Sequence, residues 1–180
     1  MSVVGCRCGK VELELTGAPF MVAECYCNSC RDASGRMAAL PGGEAAVGAN
    51  GSSHYVMYRK DRVRITKGHE WLRNFRLSEK SQTRRVVASC CNTPVLTEFK
   101  GGHWASLYGN LWHGQALPVA ELRTQTGDAV DPSLLDDSIA SGGWETTKFY
   151  GKLFGVWAAM GFKAPPLALD TPEIELGRAG

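Results

Sequence analysis

The sequence predicts a mainly β protein of small antiparallel sheets closed by a C-terminal helix. Three observations carry that prediction. Short apolar or alternating segments are separated by Gly, Pro and Ser turns; seven cysteines fall in tight groups; and Glu145 to Phe162 repeats its apolar residues at helical steps. A chain of 180 residues with 44% apolar and 21% charged side chains has the make-up of one ordinary globular domain, spanning 1–180. That composition excludes a disordered tail, a fibre and a collagen-like repeat. The net charge of +2 points to no partner.

Lys10 to Leu15 alternates polar and apolar residues and predicts a half-buried strand, ended by Gly17 and Pro19. Phe20 to Ala23 reads as a second strand that delivers Cys25 and Cys27 at its exit. Asn28 to Gly35 predicts a single helical turn, closed by Gly35, which swings Cys30 back toward Cys27. Pro41 to Ser53 is a Gly-, Ala- and Ser-rich loop. A meander comes next, with strands over His54–Arg59, Val63–Thr66, Trp71–Leu77, Arg85–Ala88 and Pro94–Leu96, and turns at Lys67-Gly68 and Ser78 to Ser81. Ser133 to Ala140 predicts a short helix. In Glu145 to Phe162 the apolar face is Phe149, Leu153, Val156, Trp157 and Met160; Gly151 and Gly155 each weaken a free helix by about 1 kcal/mol relative to Ala, so it needs tertiary packing. Pro165-Pro166 stops it, and an extended tail begins after Leu167. The longest nearly apolar stretch, Gly155 to Phe162, is far short of the ~18 residues that span a bilayer, and Met1 to Lys10 has no signal-peptide run. The expected location is the cytoplasm.

The cysteines are spaced Cys6-x-Cys8, Cys25-x-Cys27-x-x-Cys30 and Cys90-Cys91. An odd count in such clusters fits a disulfide framework poorly. Thiolates two or three residues apart instead suit zinc, whose sulfur ligands converge at ~2.3 Å; the alternative is a set of reduced, partly buried thiols. Seven ligands divide as four plus three. Cys6, Cys8, Cys90 and Cys91 would close a structural site. Cys25, Cys27 and Cys30 would leave an open position where a metal can act on a thiol or an oxygen, unless His54, His103, His113 or an ordered water closes it.

Cys6-Arg7-Cys8-Gly9-Lys10-Val11, Cys25 to Gly35 and Cys91-Asn92-Thr93-Pro94 resemble, in order and spacing, the glutathione-dependent formaldehyde-activating enzyme family, which includes centromere protein V. The resemblance covers about residues 4–99 and leaves 100–180 as an extension. It implies a beta-tent fold, small antiparallel sheets around zinc, with Cys6, Cys8 and Cys91 as structural ligands. It further implies a second zinc at Cys25, Cys27 and Cys30, where glutathione and formaldehyde would join as S-(hydroxymethyl)glutathione. The family's C-x-x-C-G-T has Ala88 and Asn92 here in place of its first cysteine and its glycine. Cys90 is then the candidate fourth ligand, provided a turn or bulge brings adjacent residues to one side.

The expected function is therefore zinc-dependent carbon–sulfur lyase or synthase chemistry on a thiol adduct, with Cys25, Cys27 and Cys30 as its reactive centre. Arg31 and Ser34 are the candidate substrate-binding residues, because arginine's planar fork matches a carboxylate. His103 and His113 flank an aromatic segment and are candidates for proton transfer. Arg59 to Arg85 holds ten basic residues against three acidic ones, and Arg84-Arg85 is the doubly basic step nearest a cysteine motif. Trp71, Trp104, Trp112 and Trp157 read as core or pocket wall. Two rival readings stand beside the enzyme. One is a non-catalytic zinc module that binds a protein or, less expected, a nucleic acid; the other is a thiol redox sensor or metal store.

Overall fold

The computed structural model describes residues 1–167, 169 and 171–177, and its class is the mainly β one that the sequence predicts. The alternation in Lys10–Leu15 becomes β2 (Glu12–Leu15), with Leu13 and Leu15 fully buried and the two glutamates turned outward. β1 (Ser2–Gly5) and β5 (Val63–Lys67) pair with its two edges in a three-stranded antiparallel sheet. Gly68 follows β5 at φ +81°, where a Cβ would meet the Lys10 carbonyl oxygen at 2.2 Å. Only glycine lets this turn lie against the first cysteine pair.

The second sheet runs in the order β10 (Leu122–Thr124), β3 (Met21–Cys25), β4 (Ser53–Arg59), β9 (Trp104–Tyr108), β8 (Thr93–Phe99), β7 (Thr83–Ala88) and β6 (Leu72–Phe75). Its neighbours are antiparallel except β10 and β3, which are parallel. The period-two alternation gives it two buried faces. Val22, Val56, Val86, Leu96 and Leu107 join Leu13 and Leu15 of the small sheet in one core. Met21, Ala23, Tyr55, Met57, Val87 and Tyr108 form a second core with Cys30, Ala33 and Met37 of helix α1 (Asn28–Ala38).

The sequence does not predict β1, and four further elements differ from the expectation, each for a local reason. α1 has 11 residues instead of one turn, because Cys30, Ala33 and Met37 share a buried face that offsets the cost of Gly35. The aromatic segment contains β9, a central strand; Ala105 and Leu107 alternate with Ser106, too weak a polarity contrast to read between its flanking glycines. β10 is only three residues long and is held by β3. The expected helix over Ser133–Ala140 is a single 3₁₀ turn, Pro132–Leu134. Asp131 accepts from Ser133 N–H, and Asp136 accepts from Ser138 N–H at 3.1 Å. These side chains offer the backbone partners that a helix would otherwise supply.

The C-terminal helix is present as α2 (Gly143–Ala159), but only Leu153 on it is buried, while Tyr150 and Phe154 stay exposed. The extended tail is laid along β6. Asn74 N–H donates to Pro172 O at 3.0 Å and Ile174 N–H to Asn74 O at 2.8 Å. Within the large sheet the carboxylate of Glu98 on β8 takes Lys60 Nζ at 2.5 Å and Arg84 Nη2 at 2.5 Å, with Lys60 and Glu98 both buried. Glu98→Ala leaves the Lys60 ammonium buried without its carboxylate, so the expected loss is about 3–5 kcal/mol in urea unfolding, and Lys60→Met should lose clearly less.

Candidate metal centres and the adjoining cavity

The first cluster joins the two sheets. β1 ends at Gly5, and Cys6 and Cys8 sit on the tight turn beyond it, where Gly9 N–H donates to Cys6 O at 2.9 Å. β7 ends at Ala88, and the chain turns at once: the N–H groups of Cys91 and Asn92 both donate to Ala88 O, and Asn92 is left-handed at φ 53°. Cys90 and Cys91 therefore lie on a turn, where adjacent side chains can reach the same side. The sulfurs of Cys6, Cys8, Cys90 and Cys91 come within 4.8 Å of one another. Cys6 Sγ is 3.6 Å from Cys8 Sγ and 3.7 Å from Cys90 Sγ, and Cys90 Sγ is 3.9 Å from Cys91 Sγ. A tetrahedral ion with bonds of ~2.3 Å sets its sulfurs about 3.8 Å apart, so this donor set fits one metal ion.

The four thiols are not alike: burial pushes Cys6 up, although a backbone donor acts against it. Val11 N–H donates to Cys6 Sγ at 3.3 Å. Burial pushes the Cys91 thiol up, but the Thr93 hydroxyl and the backbone N–H groups of Cys8 and Thr93 outweigh it and hold the group at about 6. Burial and the neighbouring thiols push Cys90 up instead.

The second cluster stands where β3 hands over to α1. Cys25 ends the strand, Cys27 occupies the N-cap position of the helix, and Cys30 lies in its first turn. Cys30 N–H donates to Cys27 O at 3.0 Å, which folds the two sulfurs to 3.1 Å; Cys30 Sγ is 3.7 Å from Cys25 Sγ. All three sulfurs lie within 4.8 Å of one another, and among the described residues no histidine or carboxylate completes the group. The donor set fits a metal ion with one position open. Hydrogen bonds from Cys25 and Cys30 hold the Cys27 thiol well below its ordinary value, and the same contacts raise Cys25. The positive end of α1 acts in the same sense on Cys27.

A buried network holds the end of β3 in place. Glu24 accepts from Arg123 Nε at 2.9 Å, from Tyr26 OH at 3.2 Å and from Asn50 Nδ2 at 3.0 Å, and Arg123 also reaches Asp136. Arg123 lies on β10, so the parallel pairing of that short strand fixes Cys25 as well.

A cavity of about 200 Å³ opens beside this cluster. Cys25 and Cys30 line it, with Tyr55, Thr97 and Arg85 from the sheet and Phe99, Trp104 and Phe149 as aromatic wall. Tyr55 OH lies 3.4 Å from Cys30 Sγ and 3.4 Å from Thr97 Oγ1, and Thr97 Oγ1 donates to Tyr108 OH at 2.9 Å. Burial holds the Tyr55 and Tyr108 phenols above their ordinary value, so both remain protonated.

Arg31 and Ser34 stand behind the cluster, outside the cavity lining. Arg31 Nη1 donates to Tyr26 O and Asp128 O, each at 2.6 Å, and Nη2 bonds Asn28, which straps the start of α1 to the loop after β10. Ser34 Oγ accepts from the N–H groups of Ala46 and Val47, so it pins the Pro41–Ser53 loop onto the helix. His54 Nε2 is 2.9 Å from Pro118 O, and His113 Nε2 is 3.6 Å from Glu44. His103 is buried against Trp104 and Trp157, away from both sulfur groups. Trp112 is in the core, Trp104 lines the cavity, and Trp71 lies under Lys10 Nζ. Much of the basic run is paired with carboxylates: Arg59 with Asp61, Arg64 with Glu14, Lys67 with Glu12, Arg76 with Glu173, and Lys60 and Arg84 with Glu98. Sequence reasoning missed Tyr55, Thr97 and Phe149; the first two are ordinary strand residues until the register of β4, β9 and β8 brings them together.

The sequence profile of a family described as glutathione-dependent formaldehyde-activating enzyme matches residues 1–124. The match runs past Phe99 to take in β9 and β10, both of which shape the site. No curated protein matches the chain. A solved structure of a Rhodobacter sphaeroides protein is 15% identical, with a TM-score of 0.46 over 78% of this chain and 100% of that one, a likeness too distant to carry an argument. No helix among the described residues is long and apolar enough to cross a membrane.

The two sulfur groups predict different responses to loss of one ligand. By metal analysis the wild type should hold two ions per chain, Cys30→Ser one with unchanged circular dichroism, and Cys90→Ser should lower the melting temperature, because a structural metal contributes directly to folding.

Proposed function

Because the chain belongs to the glutathione-dependent formaldehyde-activating enzyme family, we propose that it forms and breaks a carbon–sulfur bond between a thiol and a small aldehyde. The adduct is S-(hydroxymethyl)glutathione or a close analogue. In the forward direction the thiol loses its proton, the sulfur attacks the carbonyl carbon, the C=O π pair moves to oxygen, and that oxygen takes up a proton. The reverse direction is carbon–sulfur lysis. Cys25, Cys27 and Cys30 would hold a zinc ion, whose positive charge would lower the pKa of an incoming thiol.

The single observation that carries the reading is the three-sulfur group with no fourth histidine or carboxylate ligand among the described residues, opening on a cavity. The chain's own side chains have definite tasks there. Tyr55, held protonated by burial beside Cys30, donates a hydrogen bond to the oxygen that gains charge. Thr97 and Tyr108 keep that hydroxyl oriented. Phe99, Trp104 and Phe149 exclude water, which slows loss of the adduct to solvent. Cys6, Cys8, Cys90 and Cys91 hold the sheets that carry these groups, and Arg31 and Ser34 act through the helix and loop they fasten.

The test is direct. Zinc-loaded wild type with glutathione and ¹³C-formaldehyde should speed exchange between free aldehyde and the S-hydroxymethyl adduct in NMR magnetisation transfer. Tyr55→Phe should retain metal and thiol binding but lower the rate by about 10–100-fold, as loss of one donor to a charged oxygen does. Failure of the zinc-loaded protein to bind any thiol contradicts the reading.

A further inference from the structure

Arg84 and Arg85 are adjacent on β7, so their side chains leave opposite faces of the large sheet. Arg84 is accounted for by Glu98. Arg85 is not. It is 3% exposed and lines the cavity beside Cys25 and Cys30. Its Nη2 donates to Ser29 O at 3.3 Å, while Nε and Nη1 are buried with no hydrogen-bond partner among the described residues. Among the described residues, no aspartate or glutamate lines this cavity.

A guanidinium cannot relieve its burial by losing a proton, because it stays charged at any working pH. The cysteine sulfurs are the one source of negative charge in the described lining, and two buried N–H groups of Arg85 still lack an acceptor, so the site calls for a further anion. Arg85 stands opposite Thr97 in the β7–β8 register, and Thr97 lies one hydroxyl contact from Tyr55, which in turn contacts Cys30. The cation and the sulfur group thus belong to one cavity, joined along its floor by hydroxyls.

We propose that Arg85 is the carboxylate-binding residue of this cavity, so that the site selects thiols that also carry a carboxylate. The inference rests on the thiol reading above and deepens it by naming the substrate class. Anionic thiols bind through two points, sulfur at the cysteine group and carboxylate at Arg85. Neutral thiols of the same size lack the second point and bind more weakly.

The experiment uses zinc-loaded full-length protein and three probes: 3-mercaptopropanoate, its uncharged amide 3-mercaptopropanamide, and propanoate, which has no sulfur. Wild type should bind the acid thiol at least about tenfold more tightly than the amide, the usual scale for a charge-assisted hydrogen bond. Arg85→Gln should keep its metal and its affinity for the amide but lose that preference. Propanoate should shift the Arg85 Nε–H resonance in ¹⁵N NMR of wild type, a readout that needs no variant should Arg85→Gln not fold. The inference is overturned if the preference survives in Arg85→Gln, if that variant loses metal from the three-cysteine group while folded, which would make Arg85 a counter-ion of the sulfurs, or if propanoate leaves the Nε–H resonance unmoved. Binding of propanoate at Arg85 without binding of either thiol would keep the anion site and reject the thiol reading. Equal binding of both thiols with no propanoate effect would do the reverse.

Discussion

Four sulfurs from two segments separated by 84 residues meet where the small sheet joins the large one, and this convergence positions the strands that line the cavity beside the second cluster. Cys6 and Cys8 continue β1, whereas Cys90 and Cys91 sit on the turn between β7 and β8. Closing a loop of that length carries an entropy cost, which metal binding at four thiolates readily offsets. The hairpin that leaves this turn shifts register between Val86 and Val87, and beyond the shift Arg85 stands beside Thr97. The cavity beside the second cluster is thereby coupled to the four-cysteine group.

The second sulfur group depends on different forces. Cys25, Cys27 and Cys30 come together through a strand-to-helix junction, and a buried carboxylate, Glu24, locks the strand end through Arg123, Tyr26 and Asn50. These three sulfurs come from one short segment, and Cys30 is at the same time part of the second core. The cavity walls come from further along the chain: Phe99 and Trp104 from the strands, Phe149 from α2.

Much of this was legible in the sequence, and the limits have physical causes. Period-two alternation marked β2, and cysteine spacing marked both sulfur groups, since ligands close in sequence must be close in space. Family motifs left the fourth structural ligand open; the turn at Ala88–Asn92, with Asn92 left-handed, is a property of backbone conformation that the pair Cys90-Cys91 does not announce. β9 and β10 were illegible because a strand paired on both sides or held by one parallel neighbour needs no pattern of its own. Arg31 next to a cysteine motif invites a substrate role; that its Nη1 donors go to the carbonyls of Tyr26 and Asp128 is visible only in the fold. Arg85, whose neighbours come from β6, β8 and α1, reveals its isolation only once the sheet is assembled.

The central claim is that one sulfur group is closed and the other open. X-ray absorption at the zinc edge of the doubly loaded protein tests it most directly, because scattering separates sulfur from lighter ligands. Seven sulfurs shared by two ions give an average of about 3.5 per zinc, with a nitrogen or oxygen scatterer completing the shell, and addition of a thiol should raise the average toward four. An average of four sulfurs before any thiol is added, or one that does not change on adding it, would contradict the account.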